Sequence, residues 1–146
     1  MARLLAASLL LAPTCHAFFS AFGRPPAPAA GAPRPSELYD DYLETMPSLK
    51  GMTVAITGAS RGLGFVTAVS VARKGGRVLM LNRPSPRAAA ALEEVAAAAT
   101  DAAPTAIDYD ALDLASVSSA AAAIQKEVAE GGLDVLCCNA GIMLQV

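Results

Sequence analysis

Thr57-Gly58-Ala59-Ser60-Arg61-Gly62-Leu63-Gly64 decides how this chain folds. Before it stands Met52-Thr53-Val54-Ala55-Ile56, short, apolar and rich in β-formers. After it, Phe65 to Lys74 carries apolar residues at helical spacing, and Gly75-Gly76 ends the run. Three glycines between a strand and a helix predict a tight turn feeding a helix N-terminus. The same alternation continues outward. Arg77–Leu81 reads as a second strand, and Asn82-Arg83-Pro84-Ser85-Pro86 as a turn with Ser85 as N-cap and Pro86 at the first helical position. Arg87–Ala99 reads as a helix, and Pro104–Tyr109 contains a third strand. Ser116–Glu130 reads as a helix capped by Ser116 or Ser118 and stopped by Gly131-Gly132. Leu133–Asn139 reads as a fourth strand. Strands alternating with helices of this length predict an α/β fold, a Rossmann-type doubly wound parallel sheet truncated after the fourth strand.

The glycine spacing carries chemistry. Gly58 allows the turn, Gly62 removes a side chain where a backbone must approach a pyrophosphate, and Gly64 allows close packing of helix on strand. A helix N-terminus then offers unpaired N–H groups and a favourable field to an anion. No Gly-Lys-Ser/Thr follows, so this is not a P-loop.

Composition bounds the rest. The 146 residues include 54% hydrophobic and 16% charged residues, with a formal net charge of -2. No basic block of the kind nucleic-acid binding needs is present, so no nucleic-acid partner is expected. Three cysteines, of which Cys137 and Cys138 are adjacent, show no metal-ligand or disulfide spacing. Both are expected to be buried, on opposite sides of the fourth strand. Asp108, Asp110 and Asp113 cluster in sequence, but no cage geometry accompanies them and no metal is expected. Asp108 and Asp110 read as solvated or capping residues.

The N-terminus has a different character. Arg3 precedes the apolar run Leu4–Ala12, and Pro13 and small residues follow, with Cys15 and Ala17 at −3 and −1 of a cleavage site. Residues 1–17 are expected to be a signal peptide. Residues 18–36, opening with Phe18-Phe19 and rich in Pro and Ala, are expected to be a transit or linker segment. The pair resembles the two-part plastid leaders of algae with complex plastids, which implies import into the plastid through the secretory route. Residence in the secretory or endomembrane system and an uncleaved anchor are the alternatives. Residues 37–50 are expected to form a short helix (Glu37–Met46) and a turn, and 51–146 a partial dinucleotide-binding domain.

With its glycine, three residues, glycine, one residue, glycine spacing, the loop resembles that of the short-chain dehydrogenases/reductases. Three further elements fit that resemblance in order: Asn82-Arg83 after the second strand, Asp113-Leu114 after the third, and Cys138-Asn139-Ala140-Gly141 after the fourth. The resemblance covers residues 51–146. It implies a nicotinamide dinucleotide held by Gly58, Ser60, Arg61, Gly62, Leu63, Gly64, Asn82, Arg83, Asp113, Leu114, Asn139, Ala140 and Gly141. Asp113 and Leu114 would contact the adenine. Asn139 would hold the turn after the fourth strand, and Gly141 would let the backbone pass near the ribose. Cys138 departs from the family element, which has Asn there. The end of the second strand lacks the acid that takes the ribose hydroxyls in NAD sites and offers Arg83 and Arg61 instead, so NADP(H) is expected over NAD(H). Asn82-Arg83 also resembles the retinol-dehydrogenase-like and protochlorophyllide-reductase-like branches.

The family's reacting groups, a Tyr and Lys four residues apart with a Ser, arise after a fifth strand. Tyr39, Tyr42 and Tyr109 have no Lys four residues on, so no catalytic residue is assigned. The expectation is therefore the NADP(H)-binding portion of a longer oxidoreductase acting on a carbonyl or alcohol, from an incomplete gene model. A small-molecule substrate belongs only to the full-length form. The alternatives are a non-catalytic NADP(H)-binding module and a nonfunctional fragment. A bare fourth strand would leave a hydrophobic edge open to self-association.

Overall fold

A computed structural model describes residues 35–128 and 131–141. Of the leader expected over residues 1–36, residues 1–34 lie outside the described residues, and Pro35 and Ser36 open a helix rather than belonging to a structureless linker. The described residues from Ser36 onward form one compact unit.

Helix α1 spans Pro35–Thr45, two residues ahead of the bounds the sequence implies at its start. Strand β1 (Thr53–Thr57) leads into α2 (Gly62–Arg73). Strand β2 (Arg77–Asn82) leads into α3 (Pro86–Ala98). Strand β3 (Thr105–Asp108) leads into α4 (Leu114–Glu127), and β4 (Val135–Cys137) follows. The four strands are all parallel and lie in the order β3-β2-β1-β4. This is the Rossmann-type α/β arrangement expected. Strand order reverses between β1 and β4, and such a switch point opens a crevice at the strands' carboxyl ends.

Alternation along the strands sorts the core onto two faces. Val54, Ile56, Val78 and Met80 pack with Ala68, Val71, Ala72, Ala91 and Val95 of α2 and α3. Ala55, Leu79, Leu81 and Ile107 pack with Ala120 of α4 on the other face. Small side chains on the helices let them approach the sheet, so an alanine-rich chain still closes a core.

Helix ends follow local chemistry. Ser85 caps α3 as the sequence implies, its hydroxyl accepting from the Ala88 amide at 3.1 Å, with Pro86 opening the helix. At the end of α2, the Gly76 amide donates to Val71 O (2.9 Å) and the Gly75 amide to Ala72 O (3.1 Å), a Schellman closure. Helix α2 begins three residues earlier than its apolar pattern, at Gly62, so Gly64 lies within its first turn.

Four expectations are corrected. The cap of α4 is Asp113, whose Oδ1 accepts from the Ala115 amide at 2.9 Å. Ser116 instead accepts from the Asp110 amide (2.9 Å), and Ser118 donates to Leu114 O. Helix α4 ends at Glu127 rather than reaching Glu130; residues 129 and 130 lie outside the described residues. Strand β4 is shorter than expected and Cys138 is exposed, with only Cys137 packed against the core. The reason is a turn: the Asn139 amide donates to Cys137 O (3.0 Å) and to Thr57 Oγ1 (3.0 Å), which carries the chain off the sheet at Cys138. Among the described residues, β4 is an edge strand, with Leu136 55% exposed. No described helix is long and apolar enough to cross a membrane.

Candidate functional site

All the expected residues but Asp113 and Leu114 lie at or just after the carboxyl ends of β1, β2 and β4. Thr57, 6% exposed, ends β1. Its hydroxyl accepts from the amides of Asn139 (3.0 Å) and Ala140 (2.9 Å), which fastens the segment after β4 to the end of β1. The Asn139 side chain completes the joint, donating through Nδ2 to Thr57 O (3.1 Å) and Gly58 O (3.2 Å). On the other side, the Gly58 amide donates to Leu81 O at 2.9 Å and ties the loop to β2. Three strand ends are thus bonded into one platform beneath the glycine loop.

Each glycine has its own reason. Gly58 takes φ +69, and a Cβ there would lie 3.0 Å from the Ala140 Cα. Gly64 is buried, and a Cβ there would lie 2.5 Å from Gly58 O and closer still to Asn139 Nδ2. Gly62 has φ +58, a conformation that costs other residues about 1–2 kcal/mol, and nothing stands within 4 Å of its Cβ position. So Gly58 and Gly64 make room for protein, whereas Gly62 faces open space. Arg61 is the N-cap of α2 in extended backbone, and its side chain makes no capping bond. Phe65 supplies the first intrahelical amide, to Arg61 O. The amides of Gly62, Leu63 and Gly64 lack an intrahelical acceptor. Ser60 is half-buried, while Arg61 and Leu63 (81% exposed) lie on the surface.

Asn82 ends β2, half-buried, and its Oδ1 is buried without a hydrogen-bond partner. Unpaired buried acceptors are uncommon and costly. Asn82, Arg83, Ser85, Ala88, Ile107 and Asp108 line a cleft between β2, β3 and the start of α3. Arg83 is exposed there, and Asp108 stands opposite Asn82 in the strand register. Tyr109 donates its amide to Asn82 O (3.0 Å), which holds the β3 exit beside the β2 exit. Asp113 and Leu114 are exposed at the start of α4, and one Asp113 oxygen is engaged in capping. Among the described residues no hydrogen bond links either of them to the glycine loop. Ala140 is exposed beside Gly58, and Gly141 after it is exposed too. No described group of His, Cys, Asp or Glu could hold a metal ion.

Thr57 is the member of this site that the sequence did not single out. Its role depends on partners more than eighty residues away. The only local signal was a threonine closing a buried strand directly before the glycine loop.

A parallel sheet in this order, with a glycine loop at the switch point, narrows the family, and the whole-sequence comparison decides it. The short chain dehydrogenase family model matches residues 52–146. The chain belongs to the short-chain dehydrogenase family. It is 38% identical over 96 residues to Dehydrogenase/reductase SDR family member 13 of Bos taurus, covering 65% of this chain and 25% of that protein. It is 33% identical over 96 residues to Retinol dehydrogenase 13 of Homo sapiens, covering 66% of this chain and 28% of that protein. Among solved structures, the RhlG/NADP active-site complex of Pseudomonas aeruginosa matches with a TM-score of 0.57 and 30% identity, over 65% of this chain and 36% of that one. The chain thus spans about a quarter of the length of these two curated relatives. Family membership makes residues 52–146 an NAD(P)-binding type of fold consistent with part of an oxidoreductase.

Proposed function

We propose that the chain is the NADP(H)-binding portion of a short-chain oxidoreductase acting on a carbonyl or alcohol. The observation that carries the reading is the platform of Thr57, Gly58, Gly64 and Asn139, which leaves Gly62 facing open space at the start of α2, whose first amides lack an intrahelical acceptor. Two features fit a dinucleotide. Space over Gly62 admits a pyrophosphate against the helix N-terminus. Asn82, its Oδ1 buried and without a partner, closes β2 where a ribose would lie. When bound, the nicotinamide supplies or takes up a hydride. The chain's own residues would bind and orient: Gly58 to Gly64 at the pyrophosphate, Asn82 and Arg83 at the ribose, Asp113 and Leu114 at the adenine, Asn139, Ala140 and Gly141 at the far ribose.

Preference for NADP(H) rests on charge. Arg61 and Arg83 are guanidinium groups at the loop and at the end of β2, where charge-assisted bonds to a 2'-phosphate are strong. Asp108, opposite Asn82 on the neighbouring strand, lines the same cleft as Arg83 and sets a negative charge against a phosphate there. The solved relative in complex with NADP supports the same choice. Kinship with the retinol-dehydrogenase branch rests on Asn82-Arg83 and on the human relative. No Tyr in the chain has a Lys four residues on, so proton transfer is assigned to a longer form of the protein. We place self-association at the β4 edge and the address of the protein in the plastid, on the leader of residues 1–36.

Calorimetric titration of the full chain with NADPH and NADH tests the nucleotide reading. NADPH is expected to bind at least tenfold more tightly. Heats absent for both nucleotides, from protein with a cooperative thermal transition, would overturn it.

A further inference from the structure

The family match starts at residue 52, yet the folded unit starts at Ser36. The residues between are bonded to α2 along its C-terminal half. The Tyr39 hydroxyl pairs with Ser70 Oγ, which itself donates to Val66 O (2.7 Å). Asp40 pairs with Arg73 at 3.5 Å, and Lys74 Nζ donates to Glu44 O at 3.3 Å. The chain after α1 is held as well: the Leu49 amide donates to Lys74 O at 2.8 Å, and Leu49 packs on the sheet–helix core. Leu43, at 6% exposure, is among the buried apolar residues. Tyr39 and Leu43, four apart, lie on one face of the helix, while Leu38 and Tyr42 are exposed.

We propose that α1 is a clasp on the glycine-loop helix and marks the downstream limit of proteolytic removal of the leader. The processing step is hydrolysis of one peptide bond by an external peptidase, with water supplying the new carboxylate oxygen and amine hydrogen. A cut before Tyr39 leaves every contact above in place. A cut between Tyr39 and Gly51 takes the Tyr39 hydroxyl from Ser70, and one past Leu43 or Leu49 also takes away the apolar side chain packed there. The mature N-terminus therefore lies upstream of Tyr39. This proposal rests on the leader expected from the sequence and is independent of the nucleotide assignment.

The test is limited digestion of the full chain with a nonspecific protease, read by intact mass and N-terminal sequencing. Products starting at or before residue 38 are expected to accumulate and to keep their helical circular dichroism. A product starting between residues 46 and 52 that persists equally long would overturn the proposal. Leu43→Asp in the full chain separates the alternatives. Faster loss of residues 36–50 by several-fold, or loss of the helical signal altogether, supports the clasp. Unchanged digestion refutes it. In cells, an N-terminus sequenced between residues 39 and 51 would refute it as well, whatever the nucleotide titration shows.

Discussion

Replacing Gly64 with alanine sets helix propensity against packing, and the structure gives the sign. In a helix, Gly→Ala ordinarily stabilises by about 0.5–1 kcal/mol. Here the new methyl would lie 2.5 Å from Gly58 O, almost an ångström inside the 3.4 Å at which ordinary contact begins, and closer still to Asn139 Nδ2. The first obstacle is backbone and cannot rotate away. The second can move only by giving up bonds to Thr57 O and Gly58 O, each worth about 0.5–1.5 kcal/mol. Forced overpacking costs about 1–3 kcal/mol. The net expectation is destabilisation by about 1–3 kcal/mol, a fall of roughly 1 M in the urea midpoint. The chain has no tryptophan, so circular dichroism is the suitable probe. Gly62→Ala serves as control: its methyl meets nothing within 4 Å, and only the φ of +58 opposes it, at about 1–2 kcal/mol. An unchanged or raised midpoint for Gly64→Ala would refute the close packing of α2 on the β1 and β4 exits.

Further expectations concern single groups. Thr57→Val keeps the shape of the side chain but strands the Ala140 amide and leaves the Asn139 amide only Cys137 O, and is expected to lower stability by about 1–3 kcal/mol in the same assay; a neutral result would mean the Ala140 amide finds another partner. Asp113→Ala is expected to cost about 1 kcal/mol through loss of the α4 cap, whereas Asp113→Asn retains most of it. Equal losses would remove capping as the explanation. Arg83→Ala is expected to weaken NADPH roughly tenfold and leave NADH nearly unchanged, the scale of one exposed charge-assisted bond. Asp108→Asn is expected to act oppositely, tightening NADPH two- to threefold by removing a like charge, read by the same titrations.

Much of the fold was legible because it is written in local signals. Ser85-Pro86 is a cap and first-turn pair, and the structure uses both. Apolar strands separated by helix-length segments gave the parallel sheet, and the Gly75-Gly76 stop became a Schellman closure. Where local signals competed, sequence reading went astray. Asp113, Ser116 and Ser118 are all capable caps, and the loop bond from the Asp110 amide to Ser116 left the cap to Asp113. Non-local chemistry was not legible. Cys138 looked like a strand residue until the Thr57 hydroxyl drew Asn139 off the sheet. The clasp of α1 on α2 likewise depends on pairs about thirty residues apart.

The dinucleotide assignment is met most directly by hydrogen exchange on the full chain with and without saturating NADPH. Slower exchange is expected in peptides covering residues 58–64, 82–83 and 139–141, with little change in α3 beyond its first turn. Binding that leaves all three segments unprotected, or protection confined to the cleft at the opposite end of the sheet around Lys50 and Thr100, would contradict the assignment.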